Sequence, residues 1–227
     1  MNQPAPNIEG KAKLRRRLMI AGGVLLLCTA FGLANSRMYL FYSNFHTVVE
    51  NQVYRSARPN PDRIQHWFDQ YRIRTVIDME CGDQRDEPKM KSLGIVEQDI
   101  KWPSSRLPST DRLRGLIRAI ETCPRPLLIH CRAGAERTGV ASVIAAMAID
   151  HEDYATARGQ LSSRYFHVWH DPDRAEGVVD AYEEYCRAKK MGTGGWDEFR
   201  QWAMTVYDRP DNRPSPSKAL RNQAASK

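Results

Sequence analysis

The run His130-Cys131-Arg132-Ala133-Gly134-Ala135-Glu136-Arg137-Thr138-Gly139 sets a thiol, a glycine, a guanidinium and a hydroxyl at offsets suited to attack on phosphorus. The apolar Pro126-Leu127-Leu128-Ile129 ahead of it predicts a buried strand. The alanine-rich apolar run from Val140 to Ile149 behind it predicts a buried helix. On such a strand-to-helix turn, backbone N–H groups converge on an anion with the positive end of the helix dipole behind them. Gly134 lets the chain bend close to that anion, and the amides of Arg132, Ala133, Gly134 and Ala135 line its seat. The same field favours Cys131 as thiolate, the reactive form of a cysteine nucleophile. Arg137 offers a planar fork to two phosphate oxygens. Thr138 is placed to donate a hydrogen bond to the sulfur as it leaves, and His130 to orient the loop through backbone contacts.

The stretch resembles the HCxxGxxR[ST]G signature of cysteine-dependent protein tyrosine and dual-specificity phosphatases. It is most similar to a bacterial HCxxGxDRTG branch with an upstream Tyr-Arg-Ser, here Tyr54-Arg55-Ser56. The resemblance runs over about residues 48–190, the loop being its highly specific part. It implies hydrolysis of phosphate monoesters through a phosphocysteine, with no metal and no cofactor. In many relatives the aspartate of a Trp-Pro-Asp loop protonates the leaving oxygen, whereas this chain has Trp102-Pro103-Ser104. In the branch with aspartate before the arginine, and in myotubularin-like and Sac-like lipid phosphatases, that aspartate supplies the proton. Glu136 occupies that place, with Asp99 as the alternative acid. The resemblance also suggests a reversible bridge between Cys81 and Cys131, against the plainer reading of Cys81 as a strand-end thiol.

The elements that must position these groups alternate. Strands are expected from Val48 to Arg55, Arg74 to Met79 and Ile95 to Ile100. Helices are expected from Pro61 to Tyr71, along the face Leu113-Leu116-Ile117-Ile120 after a cap near Asp111, and over 153–161, 175–189 and 196–207. This order predicts an α/β fold, a central mostly parallel sheet flanked by helices as in dual-specificity phosphatases, with the loop beyond the C-terminal end of a central strand. Arg55 and Arg58 either reach the pocket or cap the sheet, the second reading being preferred. The cluster Tyr165-Phe166-His167-Val168-Trp169-His170 reads as core packing with a surface histidine, or as part of a substrate rim. Arg132 either meets a multiply charged head group or is solvated.

The 227 residues carry a formal net charge of +7. Much of it sits in Lys11, Lys13, Arg15, Arg16 and Arg17 and in the tail after Arg209, and no nucleic-acid-binding motif or zinc spacing occurs, so no nucleic-acid partner is expected. The segments are expected as a basic cytoplasmic terminus (1–17), a transmembrane helix (18–40), a phosphatase domain (43–207) and a disordered tail (208–227). The basic cluster ahead of the apolar run is expected to place the domain outside the cytoplasm, and the resemblance to a bacterial branch implies the periplasm, at a bacterial inner membrane; a cleaved signal peptide with Gly32 and Ala34 at its site is the rival. The expected activity is a phosphatase, foremost on phosphotyrosine or with dual specificity in proteins. A lipid phosphatase acting on a phosphoinositide-like or phosphatidylglycerophosphate-like head group, and an inactive phosphate-binding module, are the alternatives.

Overall fold

The computed structural model describes residues 17–26, 28–29, 43–80 and 87–210. The chain divides into two units, residues 1–42 and 43–227. In the first, residues 17–26 and 28–29 are helical, with Leu18, Met19, Ile20, Val24, Leu25 and Leu26 exposed. Among the described residues no helix is long and apolar enough to cross a membrane. Of the transmembrane helix expected over 18–40, residues 27 and 30–40 lie outside those described.

The second unit is built on five strands, β1 (His46–Val49), β2 (Val53–Ala57), β3 (Thr75–Asp78), β4 (Val96–Asp99) and β5 (Leu127–Cys131), in the order β1-β2-β5-β3-β4. β1 and β2 pair antiparallel; the other pairs are parallel. The single strand expected from Val48 to Arg55 is therefore a hairpin. It turns at Asn51, which takes a left-handed φ of 57°, and Gln52 N–H closes the turn on Val49 O at 3.0 Å. Asparagine tolerates that conformation better than most residues, so the chain reverses there without a glycine.

β5 lies at the centre, with Tyr54 opposite Leu128 on one side and Val76 opposite Leu128 on the other. Its residues alternate between two cores, as the two-residue strand period requires. Leu127, Ile129 and Cys131 face the larger core, with Ile77 of β3; Leu128 faces the smaller, with Val76 and Tyr54. The smaller core is closed by α1 (Pro61–Tyr71) through Ile64 and Trp67, and by α2 (Glu87–Ser92) through Met90. Asn60 caps α1 by accepting a bond from Arg63 N–H at 2.9 Å, with Pro61 in the first turn.

The larger core is covered by α3 (Thr110–Thr122), α4 (Glu136–Asp150), α6 (Gly177–Ala188) and α7 (Trp196–Thr205), with the short α5 (Tyr154–Ala157) beside them. α4 is buried at every position from Arg137 to Met147, which is why its sequence is apolar on all faces rather than striped. The cap of α3 is Ser109, not Asp111, which lies in the first turn. The packed chain also extends past residue 207: Arg209 is buried, and Thr110 N–H donates to its carbonyl at 2.8 Å. Residues 211–227 of the expected tail lie outside those described.

Candidate active site

Cys131 ends β5 and Glu136 begins α4, so residues 132–135 form a loop across the C-terminal end of the central strand. All four of its carbonyls accept hydrogen bonds from outside the loop. Arg58 N–H reaches Arg132 O at 3.4 Å, Asn44 Nδ2 reaches Ala133 O at 3.1 Å, and Arg55 Nη2 reaches Gly134 O at 2.8 Å and Ala135 O at 3.4 Å. With the carbonyls turned away, the amides of the same peptide planes are aimed inward, which builds an anion nest. Gly134 sits at φ 68°, and a Cβ there would stand 2.5 Å from Ala57 N and from Ser56 C. Its lack of a side chain lets the loop lie directly on β2.

Arg55 is the main brace. It is fully buried, and its Nη1 also donates to Gln160 O at 2.7 Å and to Gln160 Oε1 at 2.9 Å. Its Cζ lies 4.0 Å from the Tyr165 ring centroid, in cation–π range. Burial lowers its pKa to about 10, against the attraction of Tyr165 and Cys131; it remains charged at neutral pH. The expectation that Arg55 caps the sheet is corrected. It grips the loop instead, because its position on β2 directs it across β5 toward residues that follow much later in the chain.

Cys131 is 2% exposed and forms no disulfide among the described residues; the proposed partner Cys81 lies outside them. The Arg137 guanidinium is held by Met79 O at 3.1 Å, Trp102 O at 3.2 Å and Glu80 Oε1 at 3.9 Å. Trp102 of the Trp-Pro-Ser turn is fully buried, so this turn serves as an anchor for the arginine. Thr138 is buried, and no described group hydrogen-bonds its Oγ1. His130 O accepts from Met79 N–H at 2.9 Å, and the His130 Nδ1 lies 3.7 Å from Asp78 Oδ1. Burial, with Arg58 and Arg137 nearby, drives the imidazole pKa down to about 3, so it is neutral. Arg132 and Ala133 are exposed at the rim.

Glu136 sits at the first turn of α4, beside a cavity of about 480 Å³ that it shares with Ala135, Phe166, His167, Trp169 and Glu176. Its Oε1 accepts from Ala175 N–H at 3.4 Å, and Oε2 is 3.8 Å from Arg174 Nη1. Burial and the neighbouring Glu176 charge raise its pKa to about 7, with Arg174 pulling the other way. For Glu176, burial pushes upward, but His167 and the Asp171 amide outweigh it and hold that carboxyl below its ordinary value. One carboxyl of the pair is thus poised to carry a proton at neutral pH.

Asp99 stands elsewhere. β3 separates its strand from β5, which puts it roughly 10 Å across the sheet from the nucleophile strand. Its Oδ2 is 3.1 Å from Lys101 Nζ, and it lines a different cavity with Ser109 and Arg112. Sequence reasoning missed the supporting roles of Asn44, Glu80, Arg174 and Glu176. It saw the cluster from 165 to 170 without sorting it: Tyr165 is buried under Arg55 and His167 faces Glu176, while Val168 and Trp169 are exposed. Only the Tyr-Arg-Ser segment carried a signal, and it did not reveal Arg55 as the brace of the loop.

The chain matches a tyrosine phosphatase family over residues 32–190. No curated protein matches it. Among solved structures it is similar to a mutant form of Tk-PTP, at 18% identity over 64% of this chain and 96% of that one, with a TM-score of 0.51. TpbA of P. aeruginosa matches at 19% identity over 71% and 90% of the two chains, with a TM-score of 0.49. PTPMT1 matches at 17% identity over 64% and 99%, with a TM-score of 0.48. At 18% identity the likeness to Tk-PTP establishes a shared fold.

Proposed function

Since the chain belongs to the tyrosine phosphatase family and is a cysteine-dependent phosphatase, we propose that it hydrolyses aryl phosphate monoesters, phosphotyrosine in proteins foremost. In this reading Cys131 thiolate attacks phosphorus, forming the S–P bond as the bond to the leaving oxygen breaks. Glu136 delivers its proton to that oxygen. The inward amides of residues 133–136 and the Arg137 guanidinium hold the charge that spreads over the transferring phosphoryl group. A water, its proton taken by the Glu136 carboxylate, then releases phosphate, and Thr138 stabilises the departing sulfur.

The observation that carries this reading is the outward anchoring of every loop carbonyl from Arg132 to Ala135. The aryl preference is supported by Phe166 and Trp169 at the mouth of the cavity beside Glu136. The basic run before Leu18 and the apolar run to Ala34 support a tether to a bacterial inner membrane with the phosphatase on the periplasmic side. The test is turnover by the full chain on phosphotyrosine peptides, phosphoserine peptides and phosphoinositide micelles, beside Cys131→Ser. Phosphotyrosine should lead, with activity absent in the variant. Faster turnover of the lipid would replace the aryl reading, and turnover surviving in Cys131→Ser would remove the mechanism.

A further inference from the structure

The cavity beside Glu136 holds a second cluster that the phosphatase mechanism does not use. One ring nitrogen each from His167 and His170 and one oxygen of Glu176 lie within 4.8 Å of one another. The His167 Nε2 and the Glu176 Oε2 stand 3.6 Å apart, and their side chains are 9% and 1% exposed. That distance is too long for a hydrogen bond, and neither buried atom has a hydrogen-bond partner among the described residues. It is close to the separation of about 3.4 Å expected between two ligands on a tetrahedral zinc ion.

The surroundings hold these groups as a metal site holds its ligands. Glu176 Oε1 accepts from Asp171 N–H at 2.6 Å, which fixes the carboxylate and leaves Oε2 toward His167. The His170 Nε2 lies 2.9 Å from Asp180 Oδ2, an ion-pair contact without hydrogen-bond geometry. Glu136, Glu176, Asp171 and Asp180 converge here, while Arg174 is directed at Glu136 and Asp171, and Arg158 at Asp180 and Glu183. His170 is 44% exposed and leaves a path from solvent.

We propose that His167, His170 and Glu176 form a binding site for a divalent transition-metal ion of the zinc class, on the wall of the cavity beside Glu136. Two imidazoles and one carboxylate suit zinc or cobalt rather than magnesium or calcium, which prefer all-oxygen sets. The ion is not needed for phosphoryl transfer, which falls to Cys131 in the reading above. The site stands on its own geometry whatever the substrate.

Cobalt(II) titration of the metal-free full chain, followed by visible absorption, tests it. The Cys131→Ser variant should bind one ion with d–d bands and no sulfur-to-cobalt charge transfer. His170→Gln and His167→Gln, made in that background, should each weaken binding by at least about tenfold. His170→Gln is a substitution at a partly exposed side chain, so it separates ligand loss from misfolding, and thermal melting of each variant checks the fold. Binding that disappears in Cys131→Ser but persists in both histidine variants would overturn the proposal, as would no binding at all. Because the readout is spectroscopic, a failed phosphatase assay would leave it standing, and a failed titration would leave the phosphatase reading standing.

Discussion

The loop around Cys131 and the wall around Glu136 meet at Ala135, yet they are held by different forces. The loop is gripped by buried neutral contacts and one buried guanidinium, and Gly134 lies against β2 too closely for any side chain. The wall is held by charges: Arg174 on Glu136, His167 against Glu176 and His170 against Asp180, several of them half open to solvent. The nucleophile side must keep one geometry, so its support is steric and insensitive to pH. In the proposed mechanism the acid side must gain and lose a proton, and its support is electrostatic and tunable.

Arg55→Ala should break this contrast most severely. It removes the donor of Gly134 O, freeing that peptide plane to turn, while Ala135 O keeps the Gly139 N–H at 2.9 Å. Misplacement of about 1 Å near a reacting centre can cost on the order of 10²-fold in rate, so kcat/KM should fall by that much or more. Inorganic phosphate should bind more weakly in a competition assay. Loss of binding to a similar degree as kcat would show that the loop is shaped before substrate arrives.

Glu136→Gln should come next. Losing a positioned acid costs about 10²–10⁴-fold, seen on alkyl phosphates and largely absent with a nitrophenyl leaving group. In chelator, the wild-type rate should decline as pH rises through about 7, where Glu136 gives up its proton, and the variant should lose that limb. Stability should move in the same direction. A carboxyl raised by burial adds stability that is whole below its ordinary pKa of 4.5 and lost as pH rises through about 7. Thermal melts of the Gln variant should therefore show a flatter decline over that window.

Gly134→Ala sharpens the steric half of the comparison. Holding a residue with a side chain at left-handed φ costs about 1–2 kcal/mol, and overlap with Ser56 and Ala57 adds to it. Melting temperature should fall by about 2–4 °C for each kcal/mol in a domain of this size, with activity falling further than stability. Arg174→Ala should have the smallest effect. Without the cation that lowers its pKa, Glu136 should titrate higher, moving the alkaline limb upward with little change in maximal rate. A downward shift would mean that the charge on the wall has been misread.

Much of the nucleophile side was legible because its information is local. A short apolar strand, a glycine turn and an all-apolar helix announce themselves within about twenty residues of sequence. The hairpin was hidden because Asn51 does without the glycine that usually marks such a reversal. Arg55 was visible as part of a motif but not as a brace, since its partners lie 79 and 105 residues away. Glu176 gave no signal, because a glutamate near a helix start looks the same whether it faces water or another carboxyl. The wall is a product of tertiary contact between the start of α4 and the turn before α6, and no periodicity encodes that meeting.

Outward-fastened carbonyls have one more effect. A seat completed before the ester arrives is still complete after the alcohol departs, so free phosphate finds it ready as well. Product should linger there, and tetrahedral mimics such as vanadate or sulfate should occupy it with little loss of chain freedom. The turnover ceiling of such an enzyme is then governed by how quickly the emptied anion escapes.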